Sequence, residues 1–307
     1  MKTLHCADSF RGIIPAIITP CDQNSRLDEN ALVELAGDLL TNGSTGLYVC
    51  GLTGEAYQLT SEERKRTAEL AIDVAAKRGK IIVHVGTQDT RSACELARHA
   101  AAAGADAIAS IPPISRPFPE ILAYYRELSC ATEELPLFIY HIPVFTNWTP
   151  SLQEFASLLE IENVVGIKFT DYNLYLMRQL LALKPGLAIL YGRDEQLAAA
   201  LAFGACGGVG STYNILTPLY VAIYRHASVG EWEEAFSLQR IAADIMIVFE
   251  RFGVTASSEA LLMAAGKIQR ARRAPSQCLS ESERNQLWRD LKPIVASLPH
   301  TLRPTEK

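Results

Sequence analysis

The chain has 307 residues, 49% of them hydrophobic and 21% charged, which is enough apolar material for one large core and a small appendage. Its formal net charge is -5 with a pI near 5.8, and no block of lysine or arginine forms a tail, which argues against a nucleic-acid partner. The start, Met1-Lys2-Thr3-Leu4-His5-Cys6-Ala7-Asp8, lacks the apolar stretch of a signal peptide, and the long uncharged segment 196–224 is interrupted by glycines and Pro218, so the expectation is a cytoplasmic protein with no membrane partner.

In chain order, short apolar runs alternate with amphipathic segments. Strands are expected at 12–19, 46–50, 80–86, 107–111, 136–142, 164–170, 187–191 and 207–211. Helices are expected at 29–40, 61–76, 92–103, 119–130, 151–159, 174–183 and 195–203. Strand followed by helix, repeated eight times, is the pattern of a (β/α)8 TIM barrel in the α/β class. A doubly wound sheet is disfavoured because the first turn, Thr19-Pro20-Cys21-Asp22, carries no phosphate-binding glycines. The glycine cluster at 204–210 follows a helix and enters a strand, the reverse of a dinucleotide fingerprint.

From Pro218 the pattern is wholly helical: one long segment to about Phe252, a second from Ser257 to about Arg270, and a third from Glu281 to about Ser297. Residues 1–224 therefore read as the barrel, and 225–307 as a helical extension packed on it. The close, with Leu298-Pro299 and Arg303-Pro304, is expected to fray. Seven cysteines without C-x-x-C spacing read as free thiols, and six scattered histidines without H-x-H or H-x-x-x-H pairing give no sign of a metal or other cofactor.

The most informative residue is Lys168, a charge within the apolar run Val164-Val165-Gly166-Ile167-Lys168-Phe169-Thr170. Burial disfavours the charged ammonium, and a neutral amine is the nucleophile that condenses with a ketone to a Schiff base. The alternative is a strand-end lysine whose stem is buried and whose head reaches water. Strand alternation puts Thr170 on the Lys168 face. Tyr140, near the same end of the preceding strand, is either a proton shuttle or a core aromatic, and His141 points the other way as a structural residue. In Cys50-Gly51-Leu52-Thr53-Gly54-Glu55, small residues let N–H groups and the Thr53 hydroxyl approach a carboxylate, although a plain turn has the same composition. Gly192-Arg193-Asp194-Glu195 and Gly210-Ser211-Thr212-Tyr213-Asn214 offer carboxylates and hydroxyls to a polyhydroxylated ligand, or cap a helix.

These motifs, in this order, resemble the class I pyruvate-dependent aldolases that include N-acetylneuraminate lyase and dihydrodipicolinate synthase. Gly51-Leu52-Thr53-Gly54-Glu55, Tyr140-His141-Ile142-Pro143 and Gly166-Ile167-Lys168 carry the resemblance, and the Asp194-Glu195 and Gly210–Asn214 segments place it nearest the N-acetylneuraminate lyase branch. Phe145 stands where the synthases carry an arginine. The resemblance implies a Schiff base on Lys168, Tyr140 as proton carrier, and Leu52, Thr53, Gly54, Thr170, Gly192, Asp194, Glu195 and Ser211 around the substrate. The implied partners are pyruvate and a 2-keto-3-deoxy sugar acid, with N-acetylneuraminate the first choice, and the implied assembly is a homotetramer built from dimers. An aldolase or dehydratase for another such acid, and a barrel that only binds one, stay open. Two departures stand out. Leu52 replaces a hydroxyl residue of the carboxylate loop, and Pro112–Phe118 lacks the tyrosine that some members lend across a dimer interface.

Overall fold

The computed structural model describes residues 7–76, 78–132, 134–299 and 302. Eight strands form where the apolar runs predict them: β1 Gly12–Pro15, β2 Gly46–Val49, β3 Lys80–His84, β4 Ala107–Ser110, β5 Leu137–His141, β6 Val164–Phe169, β7 Ala188–Tyr191 and β8 Gly207–Gly210. All pair in parallel in the order β1-β8-β7-β6-β5-β4-β3-β2. The Ile17 N–H donates to Tyr48 O (3.0 Å) and the Thr45 N–H to Ile13 O (2.8 Å), joining β1 to β2. The sheet thereby closes into a (β/α)8 barrel.

The surrounding helices are α1 Glu29–Thr41, α2 Ser61–Ala75, α3 Thr90–Ala103, α4 Phe118–Thr132, the single turn α5 Pro143–Thr146, α6 Leu152–Leu159, α7 Leu174–Leu183, α8 Leu197–Ala202 and α9 Tyr213–Ser228. Thr60 with Glu63, and Ser151 with Glu154, form reciprocal capping boxes that fix the starts of α2 and α6. The seventh barrel helix is shorter than expected, because Asp194–Gln196 forms a 3-10 turn before α8 begins.

Three more helices follow: α10 Trp232–Phe252, α11 Val254–Ala264 and α12 Glu281–Ser297. The single long helix expected from Pro218 to Phe252 is two. Its break falls at Val229–Glu231, where Gly230 takes a left-handed φ of +83°. The next helix ends at Ala264 rather than Arg270, just before Gly266 at φ +67°. Leu298 does not fray: it is buried in the cluster that joins α9, α10, α11 and α12 to Ile13 and Leu197 of the barrel. Arg303 and Pro304 lie outside the described residues, as do Met1–Cys6. Phe249 is fully buried in this cluster, and truncating it to alanine would destabilise the fold by about 3–5 kcal/mol.

Inside the barrel, a separate apolar cluster runs from Phe10, edge-on to Phe138 at 5.0 Å, up to Tyr48 and Tyr140. Phe10 lies two residues before β1 and fills the N-terminal end. The carboxyl ends of the strands are left for chemistry. Among the described residues, six cysteines are free thiols, no helix is long and apolar enough to cross a membrane, and no cluster of three metal-ligating side chains occurs.

Candidate active site

Lys168 lies on β6 in register with Tyr140 on β5, and both are 4% exposed. The Lys168 amine sits 3.8 Å from the centre of the Tyr48 ring and 4.1 Å from that of Tyr140. Burial lowers its pKa to about 7, and the negative charge of Asp194 opposes that drop. A strand-end lysine with its head in water is therefore not what the sequence encodes. About half the amines are neutral near pH 7, so a nucleophile is available without a separate base.

Behind the two tyrosines stands His84, at the end of β3, with its ring edge-on to Tyr140. Its Nε2 accepts the Ile111 N–H (3.2 Å), so Nδ1 carries the proton and donates to Cys50 O (3.0 Å). Burial, then the charges of Arg64 and Lys168, push its pKa well below the usual histidine value. It is a neutral wall that ties the start of the loop after β2 to β3. Arg64 holds the same corner, its guanidinium donating to His84 O (2.7 Å) and Gly86 O (3.1 Å).

The loop after β2 is framed by two non-glycine residues in the left-handed region, Cys50 at φ +57° and Glu55 at φ +52°. At its end the N–H groups of Glu55 and Ala56 bond back to Leu52 O and Gly51 O. Those of Thr53 and Gly54 make no hydrogen bond among the described residues, which leaves two donors for an anion. The Thr53 and Ser211 hydroxyls share a hydrogen bond of 2.6 Å. Leu52 is partly buried against the interior cluster that contains Tyr48 and Tyr140.

Burial raises the Tyr140 pKa well above that of free tyrosine, and the neighbouring Thr170 hydroxyl opposes the rise. The two groups are near but not in hydrogen-bond geometry, since Thr170 Oγ1 is buried without a partner. Gly192 is required here: a Cβ at that position would lie 2.0 Å from Thr170 Oγ1.

Asp194 is 3% exposed. Its Oδ2 accepts the Thr212 N–H (2.8 Å) and hydroxyl (2.6 Å), which pins it between the ends of β7 and β8. Burial lifts its pKa to about 6 despite those bonds. Gly210 makes room for it, because a Cβ there would come 2.3 Å from Asp194 Oδ1. From α10, Gln239 donates to Asp194 O (3.1 Å) and accepts the Ala198 N–H (2.8 Å), so the helical extension also holds this turn. Glu195 is half-buried and accepts a hydrogen bond from the Tyr172 hydroxyl at 2.7 Å.

The sequence anticipates the convergence of Lys168, Tyr140 and Thr170, the Thr53 loop, Asp194 and Ser211 at one end of the barrel. His141 points outward as expected, among Trp148, Phe155 and Phe169, and its Nε2 lies 3.2 Å from Asp171 Oδ2. Phe145 stacks on Tyr57 at the rim, 5.9 Å between centres. Sequence reasoning missed Tyr48, His84, Tyr172 and Gln239. The first two occupy strand positions where an aromatic ring reads as core.

Residues 9–294 match the dihydrodipicolinate synthetase family. The N-acetylneuraminate lyase of Rhizobium meliloti is 35% identical over 299 residues, covering 96% of this chain and 98% of that protein. The Citrobacter koseri N-acetylneuraminate lyase is 34% identical over 250 residues, 81% of this chain and 84% of that one. Among solved structures, a catalytic lysine mutant of the Ruminococcus gnavus sialic acid aldolase superposes with a TM-score of 0.89 at 26% identity, covering 94% of this chain and 97% of that one. CdNal from Clostridium difficile, in complex with mannosamine, gives 0.88 at 28% identity over 92% and 99%. The chain belongs to the dihydrodipicolinate synthetase family, on its N-acetylneuraminate lyase branch, and is a class I pyruvate-dependent aldolase.

Proposed function

We propose that this aldolase cleaves N-acetylneuraminate to pyruvate and N-acetylmannosamine. The observation that carries the proposal is the Lys168 amine, buried against Tyr48 and Tyr140 with a pKa near 7, facing an end of the barrel lined by hydroxyls and carboxylates. Lys168 Nζ attacks C2 of the open-chain keto acid and water leaves, giving an iminium. The Thr53 hydroxyl and the N–H groups of Thr53 and Gly54 hold the C1 carboxylate. Tyr140, kept protonated by burial, takes the C4 hydroxyl proton as it passes its own to the C1 carboxylate. The C3–C4 bond breaks, its electron pair moves into the pyruvate enamine, and the aldehyde departs. Protonation at C3 and hydrolysis of the iminium release pyruvate and the free amine. Thr170, the Gly192 backbone, Asp194, Glu195 and Ser211 face the sugar hydroxyls.

Leu52 favours one further reading, in which the substrate is another 2-keto-3-deoxy sugar acid, since an apolar side chain packed beside Tyr48 and Tyr140 stands where a carboxylate donor would help. The working assembly is a cytoplasmic homotetramer with small-molecule partners only, and residues 1–224 form the catalytic barrel with 225–307 as its extension. The test is to incubate the purified protein with N-acetylneuraminate and assay both products. Stoichiometric pyruvate and N-acetylmannosamine support the proposal. Turnover of other 2-keto-3-deoxy acids with none of N-acetylneuraminate contradicts it.

A further inference from the structure

The mouth of the site beside β7 holds a cation that the mechanism above does not use. Arg193 is half-buried, and its guanidinium lies 4.2 Å over the ring of Tyr172, whose hydroxyl is already bonded to Glu195. Among the described residues the Arg193 side chain makes no hydrogen bond or ion pair, and its Nε is buried with no partner. An orphaned donor on a charged group is costly to bury unless something arrives to meet it. Stacking occupies only the face of a guanidinium, so its in-plane N–H donors stay free in the fork geometry that suits a carboxylate or phosphate. Its charge also reaches the Tyr140 hydroxyl, where it favours ionisation, so it lies within electrostatic range of the bond-breaking centre. By contrast, Asp194 and Glu195 each already satisfy one oxygen within the protein.

We infer that Arg193 is a specificity-determining residue that receives an anionic group, a second carboxylate or a phosphate, on the aldehyde half of the substrate. The inference rests on the proposed sugar-acid aldolase reading of the site and widens its substrate class beyond N-acetylneuraminate, whose aldehyde half is neutral and makes no use of Arg193. An enzyme so equipped accepts acids whose distal end is charged in preference to equally sized neutral ones.

The test runs the reaction in the condensing direction, with pyruvate and three aldehydes of matched carbon skeleton: mannose, mannuronate and mannose 6-phosphate. Borohydride trapping of pyruvate on Lys168 is measured in parallel, so that Schiff-base formation and aldehyde selection are read separately. In the wild type, kcat/KM for at least one anionic aldehyde is expected to exceed that for mannose by about tenfold or more. Arg193→Gln should bring the ratio close to one, chiefly through KM, and Arg193→Lys should keep part of it. A preference for mannuronate alone identifies a carboxylate, and for mannose 6-phosphate alone a phosphate. With pyruvate trapping intact, a wild-type ratio near one, or a ratio that Arg193→Gln leaves in place, overturns the inference alone. Absence of trapping in the wild type overturns the aldolase reading and the inference with it.

Discussion

Thr53 and Ser211, far apart in the chain, meet through a 2.6 Å hydrogen bond between their hydroxyls. The bond joins the loop after β2 to the end of β8, across β1. In the proposed reaction this bond would couple anion binding at the loop to hydroxyl binding at Ser211. Thr53→Val and Ser211→Ala should each weaken pyruvate binding, and their effects should be non-additive by about 0.5–1.5 kcal/mol in a double-mutant cycle. Strictly additive losses in pyruvate affinity would mean the two hydroxyls act independently.

Leu52 gives the second prediction. If Thr53 and the loop N–H groups alone hold the carboxylate, Leu52→Ser adds one charge-assisted donor and tightens pyruvate by about 1–2 kcal/mol at most. If instead Leu52 contacts an apolar part of the native substrate, serine lowers turnover of that substrate by removing the contact. Pyruvate affinity and N-acetylneuraminate cleavage, measured in both proteins, separate the two. Loss on every sugar acid tried would argue for a substrate other than N-acetylneuraminate.

The third prediction is a pH profile. Because the Lys168 pKa is about 7, the rate of Schiff-base formation should rise with pH through that value and then level off. The Asp194 charge is what raises the Lys168 pKa against burial, so Asp194→Asn should move the midpoint to lower pH. The same variant should impair sugar-acid cleavage roughly tenfold or more while affecting pyruvate trapping far less. A midpoint that stays put, or moves upward, would show that Asp194 does not act on the amine.

A stability measurement gives the fourth. The folded pKa of Lys168 lies below its unfolded value of 10.5, so between about 7 and 10.5 the unfolded chain holds a proton that the native state has released. Native stability at this site therefore increases as pH rises across that window, and below about 7 the burial penalty is felt in full. Lys168→Met should stabilise the protein by a few kcal/mol near pH 6, with the gain fading towards pH 10. Urea melts at the two pH values check this, and a variant less stable than wild type at pH 6 would mean the amine is not the burden its burial implies.

The strands were legible because a barrel strand is buried on both faces and reads as a short apolar run, and Lys168 was legible as the charge that such a run should exclude. Tyr48 and His84 were not, because on an apolar strand an aromatic ring is indistinguishable from core. Only the closure of β1 onto β2 and the curvature of the sheet carry Tyr48 to within 3.8 Å of the amine. Tyr172 and Gln239 escaped for a different reason. Each acts across a tertiary contact, one to Glu195 and one from α10 to the Asp194 turn, and neither contact leaves a pattern in local sequence. The break at Gly230 was available as a turn signal, but the helical periodicity on either side of it masked the boundary.

The proposed chemistry turns on a Schiff base between Lys168 and pyruvate, which chemical trapping can reveal. Borohydride reduction in the presence of pyruvate should irreversibly inactivate the enzyme, and peptide mass analysis should find one pyruvate-derived adduct at Lys168. Lys168→Arg should give no adduct, because a guanidinium stays protonated and offers no free amine. An adduct on a different lysine, or none at saturating pyruvate, would contradict the account.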